Sequence, residues 1–354
     1  MAFRIEGTDG EARAGFLRTA HGDIPTPFFM PVATKGVAKA IQWDRIWDMG
    51  YRAIISNALF LSHRPGTDVV RRFGGVHGFT GWGGAIVTDS GGFQGLNQEL
   101  VSGFTEEGMK FKSPTSGKIS VITPEQIIEI QRDLGSDILM PLDQCPPIDA
   151  PEQEVRDATA RTERWAERSV RELRGVGQQL FCIVQGGLDP VVRSRSAARL
   201  SAMDFDGVAI GGLSIGEPMD KTLRMTSAVI QAIPPEKPRY LMGLGSPADV
   251  LQAIAAGVDM FDSAFPTRNA RHGSILTRKG RVNLGRAQYD GVEGPLDEEC
   301  SCFACKNHDV AYLNHLYREK ELTAYVLGTE HNLQYMYDLM SEARTEILEG
   351  TFSV

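Results

Sequence analysis

Short apolar segments alternate with helical segments along this chain of 354 residues. Each apolar segment is four to six residues long and is bounded by Gly, Pro, Asp or Asn. Segments of this kind are typical of strands that are buried on both faces of a parallel sheet. There are eight of them: Phe28 to Ala33, Ala53 to Ser56, Ala85 to Thr88, Asp137 to Leu142, Phe181 to Val184, Gly207 to Ile210, Arg239 to Met242 and Val258 to Phe261.

The intervening segments have the period of an amphipathic helix. In Pro124 to Leu134, for example, Ile127, Ile130 and Leu134 fall on one stripe. The same period predicts three further helices, at Pro151 to Leu173, Lys221 to Ile233 and Ala248 to Ala256. About eight alternations of strand and helix favour a (β/α)₈ barrel, and a doubly wound open sheet is the alternative.

Polar or glycine residues follow most of the apolar segments directly. They are Asn57, Asp89, Asp143, Gln185, Gly211 with Gly212, Gly243 and Asp262. In a parallel barrel these positions meet at the carboxyl-terminal rim of the strands, where barrel enzymes have their active sites. A solvated turn explains any one of them, but it explains the whole set less well.

Three of these rim residues are carboxylates, namely Asp89, Asp143 and Asp262. Converging carboxylates suit glycosyl transfer, in which one attacks the anomeric carbon and another moves protons. A Mg²⁺ site is the alternative. The amide of Gln185 and the bare backbone at Gly212 add groups that can hydrogen-bond the edge of a purine, although each glycine pair taken singly indicates only a turn.

Composition and charge narrow the classes of protein. No segment approaches the roughly 18 apolar residues of a membrane span, and the first residues lack a signal-peptide core, so we expect a cytoplasmic protein without a membrane partner. The net charge of −8 disfavours nonspecific nucleic-acid binding. A nucleic-acid partner would therefore need a local basic patch. One stretch of the chain has several basic residues and no acidic one, and it is either such a patch or a solvated loop. Its basic residues are Arg268, Arg271, Arg278, Lys279, Arg281 and Arg286.

Three of the five cysteines lie within six residues, at Cys300, Cys302 and Cys305. This spacing in a cytosolic chain predicts a soft metal ion, with tetrahedral zinc as the preferred one. The fourth ligand could be His308, His315 or His331, and spacing alone does not choose among them. Such a closed site would be structural and would hold a small subdomain together.

Several long motifs together resemble the tRNA-guanine transglycosylases, also called queuine tRNA-ribosyltransferases. The resemblance covers nearly the whole chain. The motifs are TPFFMPV near the N-terminus, TDSGGFQ at 88–94, TEEGMKFKSPTSG at 105–117, SDILMPLDQC at 136–145, IVQGG at 183–187, DFDGVAIGGLSIGEP at 204–218, RYLMGLGSP at 239–247 and DMFDSAFPTRNARHG at 259–273.

The resemblance implies an α/β fold in which residues 1–290 form an irregular (β/α)₈ TIM barrel. Residues 291–354 would form a zinc-binding subdomain and C-terminal helices that pack on the barrel. It implies exchange of guanine at the wobble position of tRNA (position 34 of GUN anticodons) for a 7-deazaguanine base. The reaction would be a double displacement through a covalent ribosyl–aspartate, and members of the family are typically homodimers.

The resemblance also assigns roles to individual residues. Asp262 matches the nucleophile and Asp89 the general acid/base. The residues that match the base pocket are Asp143, Gln185, Gly212, Leu213, Phe93, Met242 and Cys145. The residues that match the zinc ligands are Cys300, Cys302, Cys305 and His331.

Cys145 and the bulky Ile215 resemble the bacterial pocket, which takes the small aminomethyl base preQ1. A queuine-salvaging enzyme of the same family is one alternative, and a non-catalytic tRNA-binding partner subunit is another. The basic stretch from Arg268 to Arg286 follows the nucleophile directly, where we expect it to contact anticodon phosphates. The chain ends at Val354 without an archaeal-type RNA-binding domain, which disfavours the archaeal reaction.

Overall fold

A computed structural model describes residues 2–92, 100–113 and 117–354 of the chain. It begins with a three-stranded antiparallel sheet made of β1 (Phe3–Asp9), β2 (Ala12–Thr19) and β3 (Gly22–Thr26). β1 has mostly exposed side chains, whereas β2 is largely buried. The apolar pattern did not predict this sheet.

The centre of the molecule is a ring of eight parallel strands. Numbered along the chain, they are β4 (Phe28–Pro31), β5 (Ala53–Asn57), β6 (Ala85–Asp89), β10 (Ile138–Leu139), β11 (Gln179–Val184), β12 (Gly207–Ile210), β13 (Arg239–Leu241) and β14 (Met260–Ser263). From β5 onward, each strand pairs with the next strand in this series, and the last strand, β14, pairs with β4. An isolated parallel bridge between Val32 and Ile55 joins the remaining edges. The predicted barrel is confirmed, and each of the eight apolar segments overlaps one of its strands.

Two small antiparallel sheets make the barrel irregular. Between β6 and β10 the chain forms β7 (Val101–Phe104), β8 (Met109–Lys112) and β9 (Ile119–Ile122). After β14 it forms the hairpin of β15 (Ser274–Thr277) and β16 (Gly280–Asn283).

Helices surround the ring. They are α1 (Trp43–Met49), α2 (Ala58–Leu61), α3 (Thr67–Arg72), α4 (Gly75–Thr80), α5 (Pro124–Leu134), α6 (Glu152–Ser169), α7 (Pro190–Ser201), α8 (Met219–Ile230), α9 (Pro247–Ala255), α10 (Phe265–Arg271), α11 (Phe303–Asn307), α12 (Val310–Arg318) and α13 (Leu322–Glu349). The chain is kinked within Ser62–Gly66, where Arg64 is not helical, and a 3₁₀ turn covers Ala287–Tyr289. α5 has the predicted bounds because Thr123 and Gln126 form a capping box at its start and Gly135 ends it in a left-handed conformation.

Side chains alternate along each barrel strand between two hydrophobic layers. One set points into the ring and fills it, for example Ile55, Val87, Ile183, Tyr240 and Met260. The alternate set packs against the helices outside. Since the interior is filled, a ligand has room only at an end of the barrel.

The last part of the chain packs on the barrel. α13 contacts α10 and β15 as well as β1, β2 and β4. A separate apolar cluster joins the segment from Cys302 to Leu327 to Ala270, Ile275 and Leu284. The division at residue 290 stays a prediction. Among the helices described here, none has the length and hydropathy of a membrane span.

Candidate active site

The period of two along the strands explains which polar side chains line the rim. Four strands have an apolar residue that points into the barrel, namely Ile55, Val87, Ile183 and Met260. The residue two positions further along each strand also points inward, and it is polar. These polar residues are, respectively, Asn57, Asp89, Gln185 and Asp262. The polar residues therefore form the layer on top of the apolar interior, at the carboxyl-terminal rim, as the sequence predicted.

Asp89 is held on one side only. Its Oδ1 accepts hydrogen bonds from Asn57 Nδ2 at 2.5 Å and from the Gly91 N–H at 3.0 Å. The orientation of the Asn57 amide is fixed because its own oxygen accepts from the Phe60 N–H at 2.9 Å, at the start of α2. No described residue donates to Asp89 Oδ2.

The pKa of Asp89 is raised from its ordinary value of 3.8 to about 8. Burial is the main cause, the Gly91 hydrogen bond opposes it, and the negative charges of Asp262 and Asp143 add to it. Three carboxylates are therefore close enough to affect one another. At neutral pH Asp89 carries a proton that it can donate.

Asp262 has a similar one-sided arrangement with stronger donors. Its Oδ1 accepts from the Tyr240 hydroxyl at 2.5 Å and from the Gly243 N–H at 2.9 Å. Burial raises the pKa of Asp262, while these two hydrogen bonds favour the ionised form and oppose the shift. Among the described residues, Asp262 Oδ2 has no donor.

Asp143 and Gln185 form a hydrogen-bonded pair beside these two carboxylates. Gln185 Nε2 donates to Asp143 Oδ2 at 2.7 Å, and no described partner reaches the buried Gln185 Oε1. Burial raises the pKa of Asp143 to about 6, against the Gln185 hydrogen bond. A Cβ on Gly92 would lie 2.0 Å from Asp143 Oδ1, and one on Gly212 would lie 2.3 Å from Gln185 Oε1. Only glycine fits at these two positions.

The other predicted pocket residues are placed as follows. Leu213 and Cys145 are buried, and Met242 is partly buried against the interior of the ring. Burial raises the pKa of Cys145 to about 12, so its thiol stays protonated and behaves as a small apolar group. Phe93 lies outside the described residues.

Two residues that support the site were not found from the sequence. The hydroxyl of Tyr240, on β13, donates to Asp262. In the sequence, Tyr240 lies within an apolar segment and cannot be told from an ordinary core residue. Arg193, in α7, is fully buried and donates to backbone carbonyls at the rim. An arginine in a helix rich in polar residues is normally solvated, so its burial gave no sequence signal either.

The predicted basic residues follow β14 along the chain. Arg268 and Arg271 are on α10, whereas Lys279 and Arg281 lie at or beside the turn of the β15–β16 hairpin. All six except the half-buried Arg271 are exposed. Arg278 differs from the others because it pairs with Glu342 at 2.5 Å and with Glu299 at 3.0 Å. Acidic residues from elsewhere in the chain thus neutralise one member of a stretch that has no acid of its own.

Cys300, Cys302, Cys305 and His331 form one cluster, whose ligand atoms all lie within 4.8 Å of one another. The three sulfur atoms lie 3.5, 3.5 and 3.3 Å from His331 Nδ1. Tetrahedral zinc, at about 2.3 Å from sulfur and about 2.0 Å from nitrogen, separates these atoms by about 3.5 Å. His331 Nε2 donates to the Leu276 carbonyl at 2.7 Å, so Nδ1 has its lone pair free. The cluster fits a metal ion, and His331 rather than His308 or His315 completes it.

A second His/Asp group, His21, His77 and Asp137, lies at the opposite end of the barrel, since Asp137 directly precedes β10. His21 Nδ1 and His77 Nε2 lie 2.7 and 3.1 Å from different oxygens of Asp137. The two rings are stacked, 3.7 Å apart and inclined by 13°. Each ring thus faces its own oxygen of Asp137. The group is a hydrogen-bonded clamp on the β2–β3 turn.

Known proteins resemble this chain over nearly its whole length. The family described as queuine tRNA-ribosyltransferase matches residues 9–354. A queuine tRNA-ribosyltransferase of Thiobacillus denitrificans is 46% identical over 353 residues, which cover 100% of this chain and 96% of that protein. A protein of the same name from Nitratidesulfovibrio vulgaris is 45% identical, and the match covers 99% of this chain and 94% of that protein. Another, from Dehalococcoides mccartyi, is 44% identical, and the match covers 96% of this chain and 87% of that protein. This chain belongs to the queuine tRNA-ribosyltransferase family.

Proposed function

We propose that this protein is a tRNA-guanine transglycosylase that exchanges guanine at the wobble position (position 34 of GUN anticodons) for preQ1. The observation that carries the proposal is the pair of rim carboxylates, Asp89 and Asp262. Each has one oxygen held by two donors and a second oxygen without a donor among the described residues. The family membership supports the same reaction class, a pentosyl transfer to a new base.

In the first half-reaction, Asp262 Oδ2 attacks C1′ of the ribose. The bond from C1′ to guanine breaks, its electron pair goes to the base, and the proton of Asp89 neutralises the leaving guanine. Tyr240 and Gly243 keep Asp262 ionised by donating to its other oxygen. The raised pKa of Asp89 keeps that residue protonated at neutral pH.

In the second half-reaction, the incoming base binds in the place that guanine left. Asp89, now a carboxylate, takes the proton from the ring nitrogen of the base, which attacks C1′. The bond between C1′ and Asp262 breaks and returns its electrons to the carboxylate. Two inversions give overall retention at C1′.

The base pocket follows from the remaining rim groups. Asp143 accepts hydrogen bonds from the purine edge, while Gln185 and the Gly212 N–H donate to it, and the Leu213 carbonyl accepts. Met242 covers one face of the base, and we assign the other face to Phe93, which lies outside the described residues. Cys145 and Ile215 leave room for the small aminomethyl group of preQ1.

The rest of the chain serves the RNA substrate and the fold. The exposed cations after β14, among them Lys279 and Arg281, bind anticodon phosphates. The Cys₃His cluster holds one structural zinc that holds the subdomain of residues 291–354 together. Bound zinc supplies no chemistry to the exchange and only fixes its four ligands. We place the protein in the cytoplasm, with its tRNA substrate, as a homodimer.

A base-exchange assay on tRNA with labelled guanine, preQ1 and queuine tests the proposal. We expect incorporation of guanine and preQ1 that is insensitive to EDTA in the assay buffer, and no incorporation by Asp262→Ala. Preferred use of queuine would indicate the salvage enzyme, and full activity of Asp262→Ala would remove the assigned nucleophile. Absence of exchange by the wild type would indicate a non-catalytic tRNA-binding subunit. EDTA-sensitive turnover of a small substrate without tRNA affinity would indicate a Mg²⁺ barrel instead.

A further inference from the structure

Arg193 is a fully buried cation to which no described carboxylate is bonded. It is 0% exposed, and no ion pair to it occurs among the described residues. Buried arginines are normally paired with an acid, because burial of a lone charge is costly. Burial accordingly lowers the pKa of Arg193 to about 10, which still leaves it charged.

Backbone carbonyls take the place of the missing acid. Nε donates to the Gly187 carbonyl at 2.7 Å, Nη1 to the Gly211 carbonyl at 3.0 Å and Nη2 to the Gly212 carbonyl at 3.2 Å. A longer contact of 3.4 Å joins Nη1 to the Val184 carbonyl. One planar guanidinium thus ties the loop after β11 to the loop after β12.

The backbone of both loops is shaped around this side chain. Gly186, Gly187 and Gly212 have positive φ angles of 148°, 54° and 64°, and a Cβ on Gly186 would lie 2.7 Å from Arg193 Cγ. The start of α7 is fixed as well, because Asp189 caps it by accepting from the Val191 and Val192 N–H groups.

The direction of these hydrogen bonds has a geometric consequence. In a planar trans peptide, the C=O of one residue and the N–H of the next point in opposite directions. Since the Gly211 carbonyl faces Arg193, the Gly212 N–H faces away from it. That N–H has no acceptor among the described residues, and the adjacent Gln185 side chain is at the rim.

We propose that Arg193 is a positioning residue that holds the Gly211–Gly212 peptide with its N–H directed at the carbonyl oxygen of the bound base. The proposal rests on the proposed function, because it needs a purine base in this pocket. Arg193 itself does not touch the base. Its effect is to keep a backbone donor oriented before the base arrives, so that binding does not have to order it.

The test compares Arg193→Lys and Arg193→Gln with Arg239→Lys. Arg239 is a matched control, because it is also buried and donates to a backbone carbonyl, that of Gly257 at 3.1 Å, but lies at the start of β13, at the other end of the barrel. For each variant we would measure the thermal midpoint, the Kd for tRNA by filter binding, and the KM for guanine in exchange. The inhibition constant of 6-thioguanine, whose sulfur is a weaker acceptor than oxygen, gives a fourth readout.

We expect Arg193→Gln to raise the KM for guanine at least tenfold and Arg193→Lys to raise it less, with the tRNA Kd within twofold of wild type. The preference for guanine over 6-thioguanine should shrink in the Arg193 variants and stay unchanged in Arg239→Lys. An unchanged preference in a folded Arg193→Gln variant would overturn the proposal. So would failure of both Arg193 variants to fold while Arg239→Lys folds, since the residue would then be purely structural. Wild-type exchange in the same assay separates these outcomes from failure of the proposed function.

Discussion

Replacing Asp89 by Asn should stabilise the folded protein at neutral pH while abolishing exchange. The folded state raises the pKa of Asp89 from 3.8 to about 8. The folded state therefore binds a proton more tightly than the unfolded chain. Its stabilising effect is complete below about pH 4, where both states are protonated, and is lost progressively as the pH rises toward 8. The amide of Asn never ionises and so does not lose this stability.

The size of the effect follows from the two pKa values. Between pH 5 and pH 7 each pH unit should lower the stability of the wild type relative to Asp89→Asn by about 1.4 kcal/mol, or about 2.7 kcal/mol over the interval. This is an upper limit, because Asp89 is only partly shielded from water at the rim, and water reduces the cost of its charge. An Asn oxygen still accepts from Asn57 and Gly91, so the substitution leaves no new unpaired group on that side.

Urea unfolding at pH 5, 6 and 7 measures the difference. Asp157→Asn, which removes a carboxylate from an exposed position on α6, is the control. A stability difference between wild type and Asp89→Asn that does not grow with pH would refute the assigned pKa and, with it, the role of Asp89 as a proton donor at neutral pH.

Three further predictions concern other parts of the structure. Tyr240→Phe removes a charge-assisted hydrogen bond to Asp262, the proposed nucleophile, that is worth about 1.5 to 3 kcal/mol. The kcat should therefore fall roughly 10- to 100-fold, and the acidic limb of the pH–rate profile should move to higher pH; an unmoved acidic limb would contradict the assignment. Elemental analysis should find one zinc per chain, absent in His331→Ala but retained in His315→Ala, and metal retained without His331 would exclude it as a ligand. Lys279→Ala should weaken tRNA binding and reduce the slope of log K against log salt concentration by about one. Arg278→Ala should change the affinity and the slope much less, because two carboxylates already neutralise Arg278. Equal effects of the two substitutions would contradict this distinction.

The barrel was predictable because its strands are buried on both faces, so each appears in the sequence as a short apolar run. The sheet of β1 to β3 was not, since β1 has mostly exposed side chains and lacks such a run. α6 ends at Ser169 instead of the predicted Leu173, and Leu173 is exposed. An apolar residue at the right period therefore extended the prediction past the last buried turn.

The rim carboxylates were predictable for a related reason, because acids directly after buried strands have few structural uses. Asn57 and Gly243 were placed at the rim, but their hydrogen bonds to Asp89 and Asp262 depend on side-chain and peptide orientation. Tyr240 and Arg193 could not be found at all from the pattern, since one resembles a core residue and the other a solvated one. The acids that neutralise Arg278 are 21 and 64 residues away along the chain, beyond any local count of charge.

The most direct test of the account is to look for a bond between Asp262 and the tRNA. Wild-type protein turning over tRNA should be quenched with denaturant, separated on a denaturing gel, digested with protease and nuclease, and analysed by mass spectrometry. The account predicts an RNA–protein adduct that survives denaturation, maps to the Asp262 side chain and is absent from Asp262→Asn. An adduct at another residue, or active exchange by Asp262→Asn, would contradict it.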